Sequence, residues 1–370
     1  MSTPSNERLP RGIPDDRADG PPQPPVELGI DAARTFAAAA FSAAGMAPDD
    51  AELMATNMLW ADQRGVDTHG VQRVSWYVKW FTDGISSPTA QTEIVKEGPS
   101  FLVGDGHSGL GQLVATRFAD QVIAKAKSEG LCLGLIRNSN DWGCGAWYPC
   151  RAADEGLVGI ATTTSVPNLA PWGSRTRLFG NNPIAFAFPR RPPERHVVYD
   201  AALTPVALGK VLRARAEGKE VPAEWGFRDR DGNPTTDPAV AMGGIIPAIG
   251  GYKGTGLALV TNVLAGVLSG SFHTANVDVG KRGQFFLFID PGAVGDREHY
   301  LDAMEDMVAQ MRAAGEGDNV LPGEQVFLPG EPEWRNWDTR TAAGRIAYPA
   351  SVVRSLDKVA EQLGIDPVVR

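Results

Sequence analysis

His69, Arg73 and Tyr77 stand four residues apart within Asp67-Thr68-His69-Gly70-Val71-Gln72-Arg73-Val74-Ser75-Trp76-Tyr77-Val78. If Asp67 or Thr68 caps a helix there, all three project from one face, because an i, i+4, i+8 spacing repeats about once per turn. An imidazole, a guanidinium and a phenol then converge. Such a set can fork a carboxylate through Arg73 while His69 gives or takes a proton beside it. The same spacing also suits a polar stripe facing solvent, and the spacing alone leaves both open.

A second group of residues suits a phosphate. Gly250-Gly251-Tyr252-Lys253-Gly254-Thr255-Gly256 precedes the apolar run Leu257 to Leu268. Glycines permit close backbone approach, a helix N-terminus favours an anion, and Lys253 can pair with one. A glycine turn that packs a helix tightly on a sheet reads equally well. Gly104-Asp105-Gly106-His107-Ser108-Gly109 matches the dinucleotide fingerprint GxGxxG after a strand-like Ser100 to Val103 and before a helix Leu110 to Glu129. The next strand, Cys132 to Ile136, ends in Arg137-Asn138 rather than in an acid for the ribose hydroxyls, and no alternating βαβ series follows. His107 therefore reads as a turn residue.

The elements around these groups are mixed. Ala32 to Met46 and Ala51 to Ala61 read as helices, the second begun by Asp49-Asp50. Val158 to Thr164, Pro183 to Pro189, His196 to Tyr199 and Gln284 to Ile289 read as strands between Gly/Pro loops. Ser165 and Asp200 lie at strand ends, where a hydroxyl or carboxylate can meet a ligand's sugar or cap a helix. A helix from Val206 to Ala216 follows, then a turn at Asp231 to Pro238.

Composition narrows the class. The chain has 370 residues, 43% hydrophobic and 21% charged, enough for one large or two ordinary cores. A net charge of -9 without a basic cluster speaks against nucleic acid or an anionic membrane surface as partner. The richest apolar run, Leu257 to Leu268, is broken by Thr261 and Asn262 and is too short to span a bilayer. Cys132, Cys144 and Cys150 form no disulfide framework or zinc motif and read as buried thiols in a reducing compartment, with no metal expected. Met1 to Pro25 carries seven prolines amid mixed charges and reads as an untargeted tail.

Several strings resemble one family, the malate/L-lactate dehydrogenases that use NAD(P) without a Rossmann fold. Arg137 to Gly143 (RNSNDWG) is similar to that family's RNSNHFG, and Thr68 to Arg73 (THGVQR) to its SHGVxR. Gly109 to Gln112 (GLGQ), Ala170 to Gly173 (APWG), Gly180 to Ala185 (GNNPIA), Asp231 to Pro238 (DGNPTTDP) and Lys253 to Leu257 (KGTGL) follow in the family's order. The resemblance implies an α/β (α+β) fold, in which a non-Rossmann, predominantly antiparallel cofactor-binding sheet is flanked by helical regions. It divides the chain into a tail (1–26), a helical substrate and dimerisation region (27–95) packed with 310–370, and a sheet-rich cofactor domain (96–309). It further implies a cytoplasmic homodimer acting on a small-molecule carboxylate with NAD or NADP. The family's catalytic histidine falls on Asp141, and its substrate-side groups on His69 and Arg73, with Tyr77 on the same face. The cofactor would touch Ser165, the turn Asp200-Ala201-Ala202, Lys253 and the turn Gly330-Glu331.

Three departures lie near that site: Asp141 itself, Tyr252 with Thr255 in the glycine loop, and a shortened segment between Gly270 and Gly283. An aspartate with an ordinary pKa near 4 is a poor proton donor at neutral pH, so burial beside Trp142 would have to raise it by roughly 2–3. A protonated C=N substrate makes a different demand, since it arrives with its proton and needs only a nearby negative charge. The sequence thus leaves a 2-oxo/2-hydroxy acid dehydrogenase, a 2-imino acid reductase and a non-catalytic relative as readings.

Overall fold

The computed structural model describes residues 23–216 and 218–368. Most of the expected tail lies outside them, and Val26, placed in the tail from sequence, already belongs to a strand. In chain order the elements are β1 (Val26–Gly29), α1 (Ile30–Ala43), α2 (Pro48–Gln63), α3 (Val74–Thr82), β2 (Glu93–Gly98), β3 (Phe101–Asp105), α4 (Gly111–Glu129) and β4 (Leu131–Ser139). They continue with α5 (Trp147–Asp154), β5 (Val158–Thr163), β6 (Ile184–Phe188), β7 (Val197–Ala201), α6 (Leu208–Ala216), α7 (Pro238–Gly243) and α8 (Tyr252–Asn262). The chain closes through β8 (Arg282–Ile289), α9 (Pro291–Val294), α10 (Arg297–Ala313), α11 (Glu331–Ala343), β9 (Arg345–Tyr348) and α12 (Ala350–Leu363). No helix among the described residues is long and apolar enough to cross a membrane.

One seven-stranded sheet, ordered β2-β3-β4-β8-β5-β6-β7, carries the site. Its only parallel pair is β3 with β4, joined through α4. The GxGxxG loop does open a strand-helix-strand unit. It stays solitary because β8, from far along the chain, pairs antiparallel with both β4 and β5 and takes the place a second parallel strand would need. Both faces of the centre are covered: Phe118, Val122, Trp147, Phe286 and Phe288 pack on one side, Leu135, Ala265 and Phe285 on the other. The central strands are accordingly apolar at nearly every position rather than alternating.

A separate core joins α1, α2 and α3 to the far end of the chain, with Phe36, Met54, Met58, Tyr77 and Trp80 against Ile346, Tyr348 and Leu356. β1 pairs antiparallel with β9 at its edge. Here the expected helix from Asp67 is replaced by two 3-10 turns, Asp67–His69 and Val71–Arg73, before α3 begins. Gly70 is the cause. Its backbone is extended (φ -91°, ψ -155°) and pressed so closely on Asp62 that a Cβ would overlap the carboxylate.

Asp62 is fully buried beneath this turn and accepts from the Val71 N–H and the Tyr348 hydroxyl, both at 2.9 Å. Burial pushes its pKa up to about 8, against the opposing pull of those two hydrogen bonds. Between its ordinary value of 3.8 and about 8 the folded chain therefore holds a proton that the unfolded chain has lost. The resulting stabilisation is complete below the lower value and disappears as pH rises through the upper one. Asp62→Asn, which cannot ionise, should match the parent near pH 3 and exceed it near pH 9 by on the order of 1–3 kcal/mol. Denaturant midpoints at the two pH values test this, and an equal loss at both would argue against a protonated Asp62.

Candidate active site

The end of β4, the start of β8 and the two 3-10 turns meet at Asp141. Ser139 pairs with Arg282 across the strands, and the loop that follows carries Asp141 toward Arg73. Arg73 Nη1 lies 2.5 Å from Asp141 Oδ2, and Arg282 Nη1 lies 3.6 Å from the same oxygen. Asp141 Oδ1 accepts from the Gly143 N–H at 3.0 Å. His69 Nδ1 contacts the Thr68 hydroxyl at 2.9 Å. The Tyr77 oxygen accepts from Gln112 Nε2 at 2.6 Å and takes a long contact of 3.5 Å from Arg73 Nη1. Despite the broken helix, the structure brings His69, Arg73, Tyr77 and Asp141 together.

The charges sort the roles. Burial alone would raise the Asp141 carboxyl. Arg73 and then Arg282 outweigh it and hold the pKa down to about 2. The expectation that burial turns Asp141 into a proton donor thus meets two guanidiniums, Arg73, which the resemblance placed in the site, and Arg282, which it did not. His69 is pulled down to about 3, by burial first and then by Arg73, and is neutral at physiological pH. Burial lifts Tyr77 to about 12.

Arg73 has little left for a ligand. Its Nε donates to the Thr68 carbonyl at 2.6 Å and its Nη1 to Asp141, so neither edge of the guanidinium offers two free donors. Arg282 differs: it is mostly buried, its Nη1 sits beyond hydrogen-bond distance from Asp141, and its buried Nε has no acceptor among the described residues. Sequence reasoning missed this residue. The available signal was a pair of cations, Lys281 and Arg282, at the end of the shortened segment and the head of an apolar strand.

Of the residues expected at the cofactor, Ser165, Asp200 to Ala202 and, through backbone hydrogen bonds, the glycine loop before Lys253 meet as a rim at the same end of the sheet, whereas Gly330 and Glu331 lie against Val198, which aligns with Ala187 and Gly159 toward the other end. Ser165 is buried and donates to Asn181 Oδ1 at 2.6 Å. Asn181 in turn accepts from the Leu203 N–H, and Leu203 accepts from the Ile249 N–H just before the glycine loop. Asp200 and Ala201 end β7 and Ala202 follows, so they form a strand end rather than a free turn. One Asp200 oxygen accepts from the Ala146 N–H at 2.8 Å, which ties the rim to the loop after Asp141. Lys253 is exposed in the first turn of α8, without an ion pair among the described residues. Gly250 and Gly251 before it have φ of +61° and +66°, and nothing stands within 4 Å of where a Gly250 side chain would be. Gly330 (φ +84°) caps α11 and lies against Val198, and Glu331 accepts from the Leu328 N–H.

The chain is a hydride-transfer oxidoreductase acting on small carboxylic acids. The chain belongs to the malate/L-lactate dehydrogenase family, whose model matches residues 28–357. It is 32% identical to a malate dehydrogenase of Pyrococcus horikoshii over 335 residues, covering 87% of this chain and 91% of that one. It is also 32% identical to a delta(1)-pyrroline-2-carboxylate/delta(1)-piperideine-2-carboxylate reductase of Pseudomonas syringae pv. tomato, over 77% of this chain and 84% of that one. The solved sulfolactate dehydrogenase of Methanocaldococcus jannaschii superposes with a TM-score of 0.84 at 29% identity, over 92% of this chain and 98% of the other.

Proposed function

We propose that the chain is an NAD(P)-dependent reductase whose preferred substrate is a small carboxylic acid with a C=N bond at C2. One observation carries this reading: Asp141 is held ionised, and none of His69, Tyr77 and Asp141 titrates near neutrality. A protonated imine brings its own proton, accepts hydride at carbon, and leaves as an amine. Its positive nitrogen is stabilised by a fixed carboxylate in a dry site. Arg282, with its free Nε edge, is the group we assign to the substrate carboxylate.

The rim suits a nicotinamide dinucleotide. The N–H groups of the first turn of α8, the left-handed Gly250 and Gly251, and the Lys253 ammonium together offer donors and a charge to a pyrophosphate. When bound, the cofactor supplies the hydride. Lys253→Ala is expected to weaken NAD(P)H binding about 5–50-fold with the fold intact, as read by fluorescence titration. Equal affinity would leave the glycine loop as a packing device.

Turnover with NAD(P)H against a panel of 2-oxo acids, with and without methylamine or ammonia, and against cyclic 2-imino acids tests the reading. Faster oxidation with the amine present or with the cyclic imines supports it. Undiminished reduction of 2-oxo acids without amine, and none of imines, overturns it. That outcome favours a second reading, 2-oxo/2-hydroxy acid exchange with His69 as proton donor. In its support, the cations Arg73 and Arg282 both lower the His69 pKa, and an anionic substrate between them offsets that effect.

We further propose a homodimer built on α8, not on the N-terminal helices, whose apolar faces are already buried against β9 and α12. Tyr252, Leu259, Val260, Val263, Val267 and Leu268 are exposed along α8 and the π-helical turn Val263–Val267 that prolongs it. A helix apolar on both sides needs two neighbours, and the sheet supplies only one. The exposed stripe amounts to several hundred Å², comparable with the about 800 Å² per partner of a standard interface, and its lack of charge suits pairing with a copy of itself. Val263→Glu should convert a dimer into a monomer in sedimentation at micromolar concentration. A monomeric parent would dispose of the proposal.

A further inference from the structure

The GxGxxG loop, left without a nucleotide to bind, is joined along its length to the loop that delivers Asp141. Gly106 N–H donates to the Arg137 carbonyl at 2.9 Å, Ser108 N–H to the Asn138 carbonyl at 2.7 Å, and Gly111 N–H to the Asp141 carbonyl at 2.6 Å. The approach admits no side chains: a Cβ on Gly111 would stand 2.7 Å from Trp142 Cα and 2.8 Å from the Asp141 carbonyl oxygen. Three non-glycine residues at this junction are left-handed: His107 (φ +45°), Ser108 (φ +61°) and Asn138 (φ +51°). Such backbones persist where the surroundings over-determine them, and they gather at functional sites.

The carboxylate of Asp105, buried at the end of β3, lies at the centre of this junction. Its Oδ1 accepts from the His107 N–H at 3.0 Å, and its Oδ2 accepts from Arg137 Nε and Asn138 Nδ2, each at 2.9 Å. It therefore binds one left-handed residue in each loop and the arginine between the sheet and the Asp141 loop. Beyond Asn138 the same segment is held by Gln284 Nε2, which donates to the Asn140 carbonyl, and by the Asp141 N–H, which donates to Asn140 Oδ1.

We infer that Asp105 is a positioning residue: it touches neither Arg73 nor Arg282, and it fixes the path of residues 137–143 so that the Asp141 carboxylate stands between them. The inference rests on Asp141 belonging to the active site. The sequence match to a dinucleotide loop is thereby explained by different chemistry. Gly104 and Gly109 make room for the side chains of Phe118, Val114 and Ala90, and Gly106 for the Asn138 carbonyl and Ser139 Cα.

Asp105→Asn keeps the shape but has one acceptor oxygen, which can serve Arg137 and Asn138 or the His107 N–H but not both sides, and it loses the charge that pairs with Arg137. In the full-length protein, amide hydrogen exchange at residues 138–143 is expected to accelerate at least tenfold, with the rest of β3 and β4 unchanged. Turnover should fall about 10–100-fold, the scale of a misplacement near 1 Å, while KM and NAD(P)H affinity stay within threefold. A comparison at position 138 separates positioning from a lost contact, because Asn138→Gly and Asn138→Ala lose the same hydrogen bond but only glycine is at ease at φ +51°. Asn138→Gly should retain turnover within about threefold, and Asn138→Ala should follow Asp105→Asn. Unchanged exchange at 138–143 overturns the inference, as does weakened NAD(P)H binding with turnover intact, which would return the loop to the nucleotide. A loosened loop with undiminished turnover also overturns it. If Asp141→Asn is then equally silent, the fault lies with the assignment of Asp141; if that variant is slow, it lies with Asp105.

Discussion

Asp141→Asn is expected to abolish imine reduction, lowering kcat/KM by about 10²-fold or more, and to lower the melting temperature at the same time. The two effects share a cause. Arg73 at 2.5 Å and Arg282 at 3.6 Å would face each other in a buried site with no anion between them. Removing one partner of a buried ion pair costs about 3–5 kcal/mol, since the remaining charge keeps its desolvation penalty and loses its compensation. Asp141→His separates the two substrate classes. A third nitrogenous group among those guanidiniums opposes a positive imine and so loses C=N reduction, while it can donate a proton to a 2-oxo acid. Stopped-flow oxidation of NAD(P)H with both substrate types reads this directly. Parent-like rates for both variants on every substrate would make Asp141 a bystander.

For Arg282→Lys the expected result is a KM for the carboxylate substrate raised about 5–150-fold, the equivalent of 1–3 kcal/mol for a charged hydrogen bond. Lysine keeps the charge near Asp141 but has no planar edge to fork a carboxylate. Arg73→Lys serves as the counterpart. Arg73 is committed to Thr68 and Asp141, so its replacement should show mainly in stability and in turnover, with the smaller change in KM. Equal KM values for Arg282→Lys and the parent, or a KM effect confined to Arg73→Lys, would return the substrate carboxylate to Arg73.

Much of this arrangement was readable from the chain, and the failures have physical reasons. Strands such as Val158–Thr163 and Ile184–Phe188 announced themselves as apolar runs between glycine and proline, since both faces of the central sheet are covered. The helix expected from Asp67 failed at Gly70, where the buried carboxylate of Asp62 eight residues earlier demands an extended backbone. Side-chain spacing holds no record of that contact. Arg282 escaped notice for a similar reason: it reaches the site by antiparallel pairing with Ser139, across a sequence separation that no local pattern spans. The state of Asp141 depended on both, because burial alone points its pKa upward and only the two arginines reverse it. The glycine fingerprint at 104–109 was read correctly as non-Rossmann, yet nothing in its letters pointed to Asn138 as its partner.

The pairing of β1 with β9, and of Tyr348 with Asp62, has a consequence for biosynthesis. The turn that presents His69 and Arg73 rests on a carboxylate whose second hydrogen-bond donor, Tyr348, is synthesised 286 residues later. While translation proceeds, α1, α2 and α3 lack the surface that Ile346, Tyr348 and Leu356 later cover, and their apolar faces are open to chaperones. The nascent chain thus has its sheet before it has its substrate site. The turn beneath His69 and Arg73 is complete only once the segment that carries Tyr348 has docked.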